Sequence, residues 1–308
     1  MRWTVGAGDG ATIREVLTRA RADAAALREG RVFVGRRRVR SDRERVAVGD
    51  LVTVAPPRAS ADALGSVTVL AHRDDLVGVV KPAGIPTIPD HSGAAHSLLA
   101  VVAQMLGVAT ARLHPTSRLD RDVSGVVIFA LTNEAGERLR RARAEGRYER
   151  RYVALAQRAP APERGTWTAP IGRGRDPKLR EAGGRDPIPA TTLFAVVGVA
   201  PIGTCMLALS PVTGRTHQIR VHAAHAGAPL LGDRTYGGPS RLTLASGRVL
   251  EPRRIALHAA RVIVPLANGA PMILSAPVPP ELSSLWSDLG GEEATWDVSL
   301  TCDLPAVA

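Results

Sequence analysis

The first cluster of residues that could support catalysis is Ser117–Gly125. Its sequence is Ser-Arg-Leu-Asp-Arg-Asp-Val-Ser-Gly. Two aspartates and two arginines come directly before the apolar run Val126–Leu131. Loops at the ends of buried strands commonly carry functional sites, and an aspartate carboxylate can act as a nucleophile. The same pattern, taken alone, also fits a structural turn held by ion pairs.

A second polar segment, Leu209–Gly227, predicts the end of a strand, a turn, and a helix that Thr216 can cap. Arg215 and Arg220 then lie near the N-terminal end of this helix, a position that favours bound anions. Helical spacing predicts an inward face of Ile219, His222, Ala223 and Ala226. The three histidines of this segment, His217, His222 and His225, lack the glutamate-containing spacing of zinc proteases. We therefore interpret His222 as a packed core residue.

The elements that must position these segments lie within residues 66–290. Apolar runs predict strands at Val67–Leu70, Leu76–Val80, Val126–Leu131, Tyr152–Ala156, Thr192–Val199, Met206–Ser210 and Val262–Pro265. Helices are predicted at Ala95–Leu106, Glu134–Glu145 and His217–Ala226. Because strands and helices do not alternate regularly, an α+β sheet is favoured over a doubly wound parallel one. Residues 172–190 predict a mobile loop, and residues 291–308 an acidic C-terminal tail.

Residues 1–58 predict a separate small α/β unit, followed by a linker at 59–65. Ile13, Val16, Leu17 and Ala20 have helical spacing, and a second short helix is predicted at Asp23–Arg28. Short strands are predicted at Arg31–Val34, Arg38–Val39 and Leu51–Val54, with a turn at Gly49-Asp50. This unit has thirteen Arg against seven acidic residues, so its net charge of +6 is about half of the chain's +11.

The composition is strongly basic, and Lys81 and Lys178 are the only lysines, so arginine carries nearly all of the positive charge. Arginine grips phosphate and stacks on bases, which favours a nucleic acid partner. Arginine enrichment from a GC-rich genome explains the same composition. The two distant cysteines, Cys205 and Cys302, predict neither a metal cluster nor a disulfide framework. With no signal peptide and no apolar membrane span, we expect a cytoplasmic protein.

Five motifs in order resemble those of the RluA-type pseudouridine synthases. They are Val80-Lys-Pro-Ala-Gly-Ile-Pro86, Arg118-Leu-Asp-Arg-Asp-Val-Ser-Gly125, Arg151-Tyr-Val-Ala-Leu155, Thr213-Gly-Arg-Thr-His-Gln-Ile-Arg220 and Leu257-His-Ala-Ala-Arg261. Residues 1–58 resemble the S4 RNA-binding domain. The resemblance implies a pseudouridine synthase fold with a mixed, mostly antiparallel sheet, a catalytic domain at 66–290, and an S4-like domain before it.

The resemblance also implies roles for individual residues. Asp120 would be the nucleophile and Arg220 its cationic partner. Tyr152 would stack on the uracil and could help remove the C5 proton, with an ordinary core tyrosine of a strand as the alternative. Arg118 would hold the extruded base or fill the space it leaves, although a simple phosphate contact also fits. Lys81 and Arg215 would contact the substrate, with a turn before Pro82 as the alternative role of Lys81. No metal, nucleotide or redox cofactor is expected, because the isomerisation oxidises no group.

Two departures from the family pattern flank the predicted nucleophile: Ser117 stands where His is usual, and Val123 where Thr is usual. They leave open a second hypothesis, a catalytically silent RNA-binding or ribosome-assembly protein of the same fold. A basic membrane-surface protein is a remote third, because no amphipathic helix rich in Trp or Phe occurs. We expect a monomer whose partner is RNA, with large-subunit ribosomal RNA favoured and transfer RNA as the alternative.

Overall fold

A computed structural model describes residues 2–20, 22, 26–27, 30–35, 37–54, 66–90, 96–176 and 179–306. Residues 2–54 contain the helix α1 (Ile13–Arg19), whose first turn is closed by a capping box between Thr12 and Glu15. The unit has a four-stranded antiparallel sheet, in the order β1-β4-β2-β3. Its strands are β1 (Arg2–Thr4), β2 (Val32–Val34), β3 (Arg37–Arg38) and β4 (Leu51–Val54). β1 was not predicted. Of the predicted helix at Asp23–Arg28 only Ala26 and Leu27 are described, and they form a turn, while the linker at 59–65 lies outside the described residues.

A ten-stranded sheet dominates the rest of the chain, with the order β10-β14-β15-β9-β18-β8-β6-β5 and with β19 and β7 added beside β18 and β8. The strands are β5 (Thr68–Arg73), β6 (Leu76–Lys81), β7 (His114–Pro115), β8 (Ser124–Ala130), β9 (Glu149–Ala156), β10 (Arg164–Trp167), β14 (Thr192–Val199), β15 (Cys205–Pro211), β18 (Leu257–Pro265) and β19 (Pro271–Ser275). Among the described strands of this sheet, only the β18–β8 pair is parallel. The predicted mixed, mostly antiparallel α+β fold is confirmed.

Side chains alternate between the two faces of this sheet, as the pleat requires. On one face, α2 (Leu98–Leu106), the loop before β8, and α4 (Gln218–His225) pack onto residues such as Val127, Tyr152 and Leu207. The other face is covered by α3 (Asn133–Ala144), α5 (Pro280–Asp288) and α6 (Thr295–Thr301). The charged loop at 117–123 and α4 therefore lie on the same face.

The two parallel strands approach each other closely at Gly125, at the start of β8. Its φ is +124°, and a Cβ there would lie 2.2 Å from the carbonyl oxygen of Ala259 on β18. Glycine is required here, because a side chain would collide with backbone that cannot move aside. This contact fixes where the charged loop joins the sheet.

The structure corrects three predictions. Residues 172–190 are not an irregular loop, since they contain a small sheet of β11 (Ile171–Arg173), β12 (Arg180–Ala182) and β13 (Arg185–Ile188). The predicted tail contains the helix α6, whose Trp296 is buried against Trp286 and β9. The N-cap of α4 is His217 and not Thr216.

The remaining regular elements are a short hairpin of β16 (Leu242–Thr243) and β17 (Val249–Leu250), and a 3₁₀ turn at Thr110–Arg112. Among the described residues, no helix is both long and apolar enough to cross a membrane.

Candidate active site

The loop that carries Asp120 is anchored on both sides of that residue. Leu119 and Val123 are buried in the core, while the Asp120 side chain between them is 27% exposed. The backbone of Leu119 is held through its N–H and C=O by the hydroxyl of Thr87, at 3.0 and 2.8 Å. Arg121 contributes a second anchor, because its carbonyl accepts from the backbone N–H of Gly84 at 2.8 Å.

Arg220 on α4 joins two carboxylates. Its Nη1 donates to Asp120 at 2.7 Å, while Nε and Nη2 form a bidentate pair with Asp233 at 2.7 and 2.8 Å. Arg220 is 6% exposed and Asp233 1% exposed, so both charges are desolvated and depend on each other. Although burial opposes the charged form, the hydrogen bonds and charges of Asp233 and Asp120 raise the pKa of Arg220 above its ordinary value. The guanidinium is therefore a permanent cation that orients Asp120.

His217 and Tyr236 form the next layer around Asp120. The backbone of His217 is left-handed, with φ +58°, and its Nε2 lies 3.8 Å from a carboxylate oxygen of Asp120. Its Nδ1 is 2.7 Å from the hydroxyl of Tyr236, which accepts from the backbone N–H of Arg180. Burial lowers the pKa of His217 despite the opposing charge of Asp120, which favours the neutral ring. Because the Tyr236 hydroxyl already accepts from Arg180, it can donate to Nδ1, which would place the ring proton on Nε2, the atom nearer to Asp120.

Tyr152 on β9 lines the same cavity as Asp120 and Arg220, a space of about 490 Å³. Burial raises the pKa of Tyr152, so its phenol is neutral at ordinary pH. A neutral phenol suits stacking on a base and is a weak proton acceptor. Arg118 and Arg215 also line this cavity, so five of the six predicted site residues come together.

Lys81, the sixth, does not line the cavity. It is 0% exposed, and its Nζ donates to the carbonyls of Pro82, Ile85 and Arg121 at 2.9, 2.7 and 3.0 Å. Burial lowers the pKa of Lys81 to about 7, against the opposing charges of Asp122 and Asp120. This corrects its assignment to substrate binding, since Lys81 instead holds the turn after β6 against the charged loop.

The two remaining candidates, the exposed Arg118 and the half-buried Arg215, differ in their contacts. Arg118 makes no hydrogen bond or ion pair to the described residues, so its guanidinium is available to a ligand. Arg215 donates from Nε to the carbonyl of Pro189 at 2.8 Å, which fixes its side chain along the rim. His222, interpreted as a core residue, is buried and contacts Thr192 and the carbonyl of Ala169, both at 2.9 Å.

Sequence reasoning missed Asp233 and His217 as site residues. Asp233 lies in the turn Gly-Asp-Arg-Thr-Tyr-Gly at 232–237. The available signal for Asp233 was its place two residues after the apolar pair Leu230-Leu231. His217 carried none, because its position depends on the left-handed backbone at the start of α4.

Comparison with known proteins identifies the class. A family model described as "RNA pseudouridylate synthase" matches residues 75–225. The "Uncharacterized RNA pseudouridine synthase YhcT" of Bacillus subtilis is 31% identical over 249 residues, which cover 78% of this chain and 79% of the relative. The "Dual-specificity RNA pseudouridine synthase RluA" of Escherichia coli is 33% identical over 216 residues, 68% of this chain and 92% of the relative.

Solved structures agree on the fold. Human RNA Pseudouridylate Synthase Domain Containing 4 superposes with a TM-score of 0.59 at 24% identity, over 75% of this chain and 95% of that one. Human RNA Pseudouridylate Synthase Domain Containing 1 superposes with a TM-score of 0.56 at 24% identity, over 74% of this chain and 96% of that one. The fold is that of an RNA pseudouridine synthase, a class of isomerases that act on uridine in RNA. Within that class, the chain belongs to the RluA-type family, as its motifs predicted.

Proposed function

We propose that Asp120 is the nucleophile with which this RNA pseudouridine synthase acts. In the overall reaction the bond from N1 of uracil to the ribose breaks and a bond from C5 forms. The C5 proton leaves and N1 gains a proton, so no group is oxidised and no external reagent is consumed. The observation that carries the proposal is the 2.7 Å hydrogen bond from Arg220 to Asp120 at the edge of the cavity. Attack on the sugar, attack on the base, and proton abstraction giving a glycal all fit this placement.

The neighbouring residues have complementary proposed roles. Arg220 keeps the Asp120 carboxylate oriented and ionised when RNA covers the cavity, because a nearby cation favours the charged form. Tyr152 stacks on the uracil of an extruded uridine. Extrusion costs a few kcal/mol, and Arg118 at the exposed rim offsets part of that cost by contacting the space the base leaves or its phosphate.

The proposed substrate is ribosomal RNA, with transfer RNA as the alternative. The relative RluA is named dual-specificity, which is compatible with either. We propose that residues 1–58 act as an S4-like RNA-binding domain, on the basis of their arginine content and the sheet-and-helix arrangement of residues 2–54. A monomer in the reducing cytoplasm is proposed; the two free cysteines are compatible with the reducing setting.

The test is to map pseudouridine in ribosomal and transfer RNA from cells with and without the gene. We expect at least one modified site to disappear and to return when the wild-type gene is restored. Asp120→Asn should not restore it, whereas Asp288→Asn, on an exposed ion pair with Arg248, should do so. An unchanged map would contradict the proposed substrates, and restoration by Asp120→Asn would contradict the role of the carboxylate.

A further inference from the structure

The cavity wall carries two guanidinium groups that the site described above does not use. They belong to Arg143, near the end of α3, and Arg150, on β9, and both line the cavity with Asp120 and Tyr152. Within the described part of the chain, neither has a carboxylate within 4.0 Å. These arginines differ in this respect from Arg220, which has two carboxylate partners.

Arg150 is 7% exposed, so its charge is almost completely removed from solvent. Its Nη2 donates to the carbonyls of Pro211 and Thr213 at 2.6 and 2.8 Å, while its buried Nε has no partner among the described residues. Nη1 lies beside Gly214, where a Cβ would come within 3.7 Å of it. Because glycine has no side chain, Nη1 remains approachable from the cavity. Burial lowers the pKa of Arg150, and the like charge of Arg143 acts in the same direction.

Tyr148 holds the two guanidinium groups near each other. The Cζ of Arg143 lies 4.4 Å from the centre of the Tyr148 ring, and that of Arg150 lies 5.9 Å from it. The Tyr148 hydroxyl is fixed by the Thr116 hydroxyl at 2.8 Å. Arg143 also donates from Nη2 to the carbonyl of Thr116 at 2.8 Å, while its buried Nε has no partner in the part of the chain that the structure describes. The two cations are thus preorganised before any ligand arrives.

Such an arrangement is costly unless an anion joins it. Burying a charge without a counter-charge is strongly unfavourable, and two neighbouring cations repel each other as well. RNA supplies one phosphodiester per nucleotide, and the planar fork of arginine matches phosphate oxygens. Arg150 and Tyr152 are two residues apart on β9, so they share a face at a separation of about 7 Å. That separation is on the scale of one nucleotide.

We propose that Arg143 and Arg150, held by Tyr148, form a binding subsite for a phosphodiester next to the uridine that Tyr152 stacks on. The subsite rests on the proposed placement of the uridine in this cavity. Through this subsite the enzyme would bind the RNA backbone beside the extruded nucleotide. The competing role is purely structural, in which Arg150 only pins the loop at 211–213 through two carbonyls.

Binding of small nucleotides tests the subsite without knowledge of the target RNA. The full chain is titrated calorimetrically with uridine, uridine 3′-monophosphate and uridine 5′-monophosphate. We expect one monophosphate to bind about tenfold more tightly than uridine, as a charge-assisted hydrogen bond provides. Arg143→Gln should bring this ratio close to one while uridine affinity stays unchanged, and Arg143→Lys should retain part of it. Arg143 is chosen because loss of the buried Arg150 can prevent folding.

The matched control is Arg141→Gln, an exposed position on the same helix that does not line the cavity, and it should keep the wild-type ratio. Equal affinity for uridine and both monophosphates overturns the subsite, and so does failure of the monophosphates to bind at millimolar concentration. A preference that survives Arg143→Gln, or that Arg141→Gln abolishes equally, also overturns it. If the wild type prefers a monophosphate but forms no pseudouridine in RNA, only the proposed function is contradicted. If instead the wild type forms pseudouridine in RNA but binds neither monophosphate more tightly than uridine, only the subsite is contradicted.

Discussion

At the scale of single residues, the site depends on how the N–H donors of Arg220 are distributed between Asp120 and Asp233. Three of its N–H groups are committed, two to Asp233 and one to Asp120. Asp233 is fully buried and cannot touch a substrate, so its contribution must pass through Arg220. We interpret Asp233 as a positioning residue that fixes the angle from which Arg220 meets Asp120.

Asp233→Asn should therefore lower kcat more than it raises KM for substrate RNA. The amide cannot balance the buried guanidinium, so we also expect the free energy of unfolding to fall by about 3 kcal/mol. Steady-state kinetics and urea unfolding measure the two effects, and Asp288→Asn is the control. A raised KM at unchanged kcat would instead place Asp233 in substrate binding.

The sequence was a better guide to which residues lie together in the site than to the role of each residue. Asp120, Tyr152 and Arg220 lie up to 100 positions apart, and only recognisable motifs could bring them together. For Lys81 the structure fits the alternative role at the turn before Pro82 and not substrate contact. A lysine in a polar motif does not reveal that three backbone carbonyls will surround it. Asp233 was missed for the same reason, since its partner is fixed by tertiary packing.

At the scale of secondary-structure elements, the position of the site depends on the junction of β8 and β18. His258 on β18 lies 2.8 Å, through Nδ1, from the hydroxyl of Ser124, which begins β8 directly after the charged loop. Its Nε2 lies 3.4 Å from the carbonyl of Ala276. Burial lowers the pKa of His258 from 6.5 to about 4, so the folded state holds this ring neutral.

This pKa predicts acid sensitivity. Between pH 6.5 and about 4, only the unfolded state binds a proton at His258, so stability is lost as the pH falls through that range. The expected loss is about 3 kcal/mol. Urea unfolding at both ends of the range should show a smaller loss for His258→Gln than for the wild type. Equal losses in the two proteins would remove His258 as the cause.

Element prediction succeeded where the apolar pattern was strong. Thr192–Val199 and Leu51–Val54 are strands with the predicted bounds, because long β-branched and apolar runs suit a buried sheet. The sheet of β11, β12 and β13 was missed because its residues are polar and glycine-rich. Gly172 is needed there, since a Cβ on it would lie 2.4 Å from the backbone of Gly184. α6 was missed because its buried face rests on few residues, mainly Trp296 and Ser299.

At the scale of the whole molecule, positive charge is spread well beyond the cavity. In residues 2–54, Arg40, Arg43 and Arg45 are exposed and make no ion pair to the described residues. An exposed, unpaired arginine can exchange counterions for phosphates. This part of the chain is therefore the expected source of affinity that does not depend on the target uridine.

Changing Arg40, Arg43 and Arg45 together to Gln should weaken RNA binding and lower the slope of log affinity against log salt by about 2. Activity at saturating RNA should not change. The matched control replaces Arg140, Arg147 and Arg248, each already paired with a carboxylate, and should change the slope much less. Equal slopes in both triple variants and the wild type would mean that residues 40–45 do not contact the RNA backbone.

The most direct test of the central claim is conversion of purified RNA by purified protein. Ribosomal and transfer RNA from cells that lack the gene is incubated with wild-type protein or with Asp120→Asn, and pseudouridine is counted at each position. We predict that the wild type modifies a defined uridine, and that Asp120→Asn binds the same RNA but converts it at least about a thousandfold more slowly. Conversion by Asp120→Asn at the wild-type rate would contradict the assignment of this carboxylate as the nucleophile.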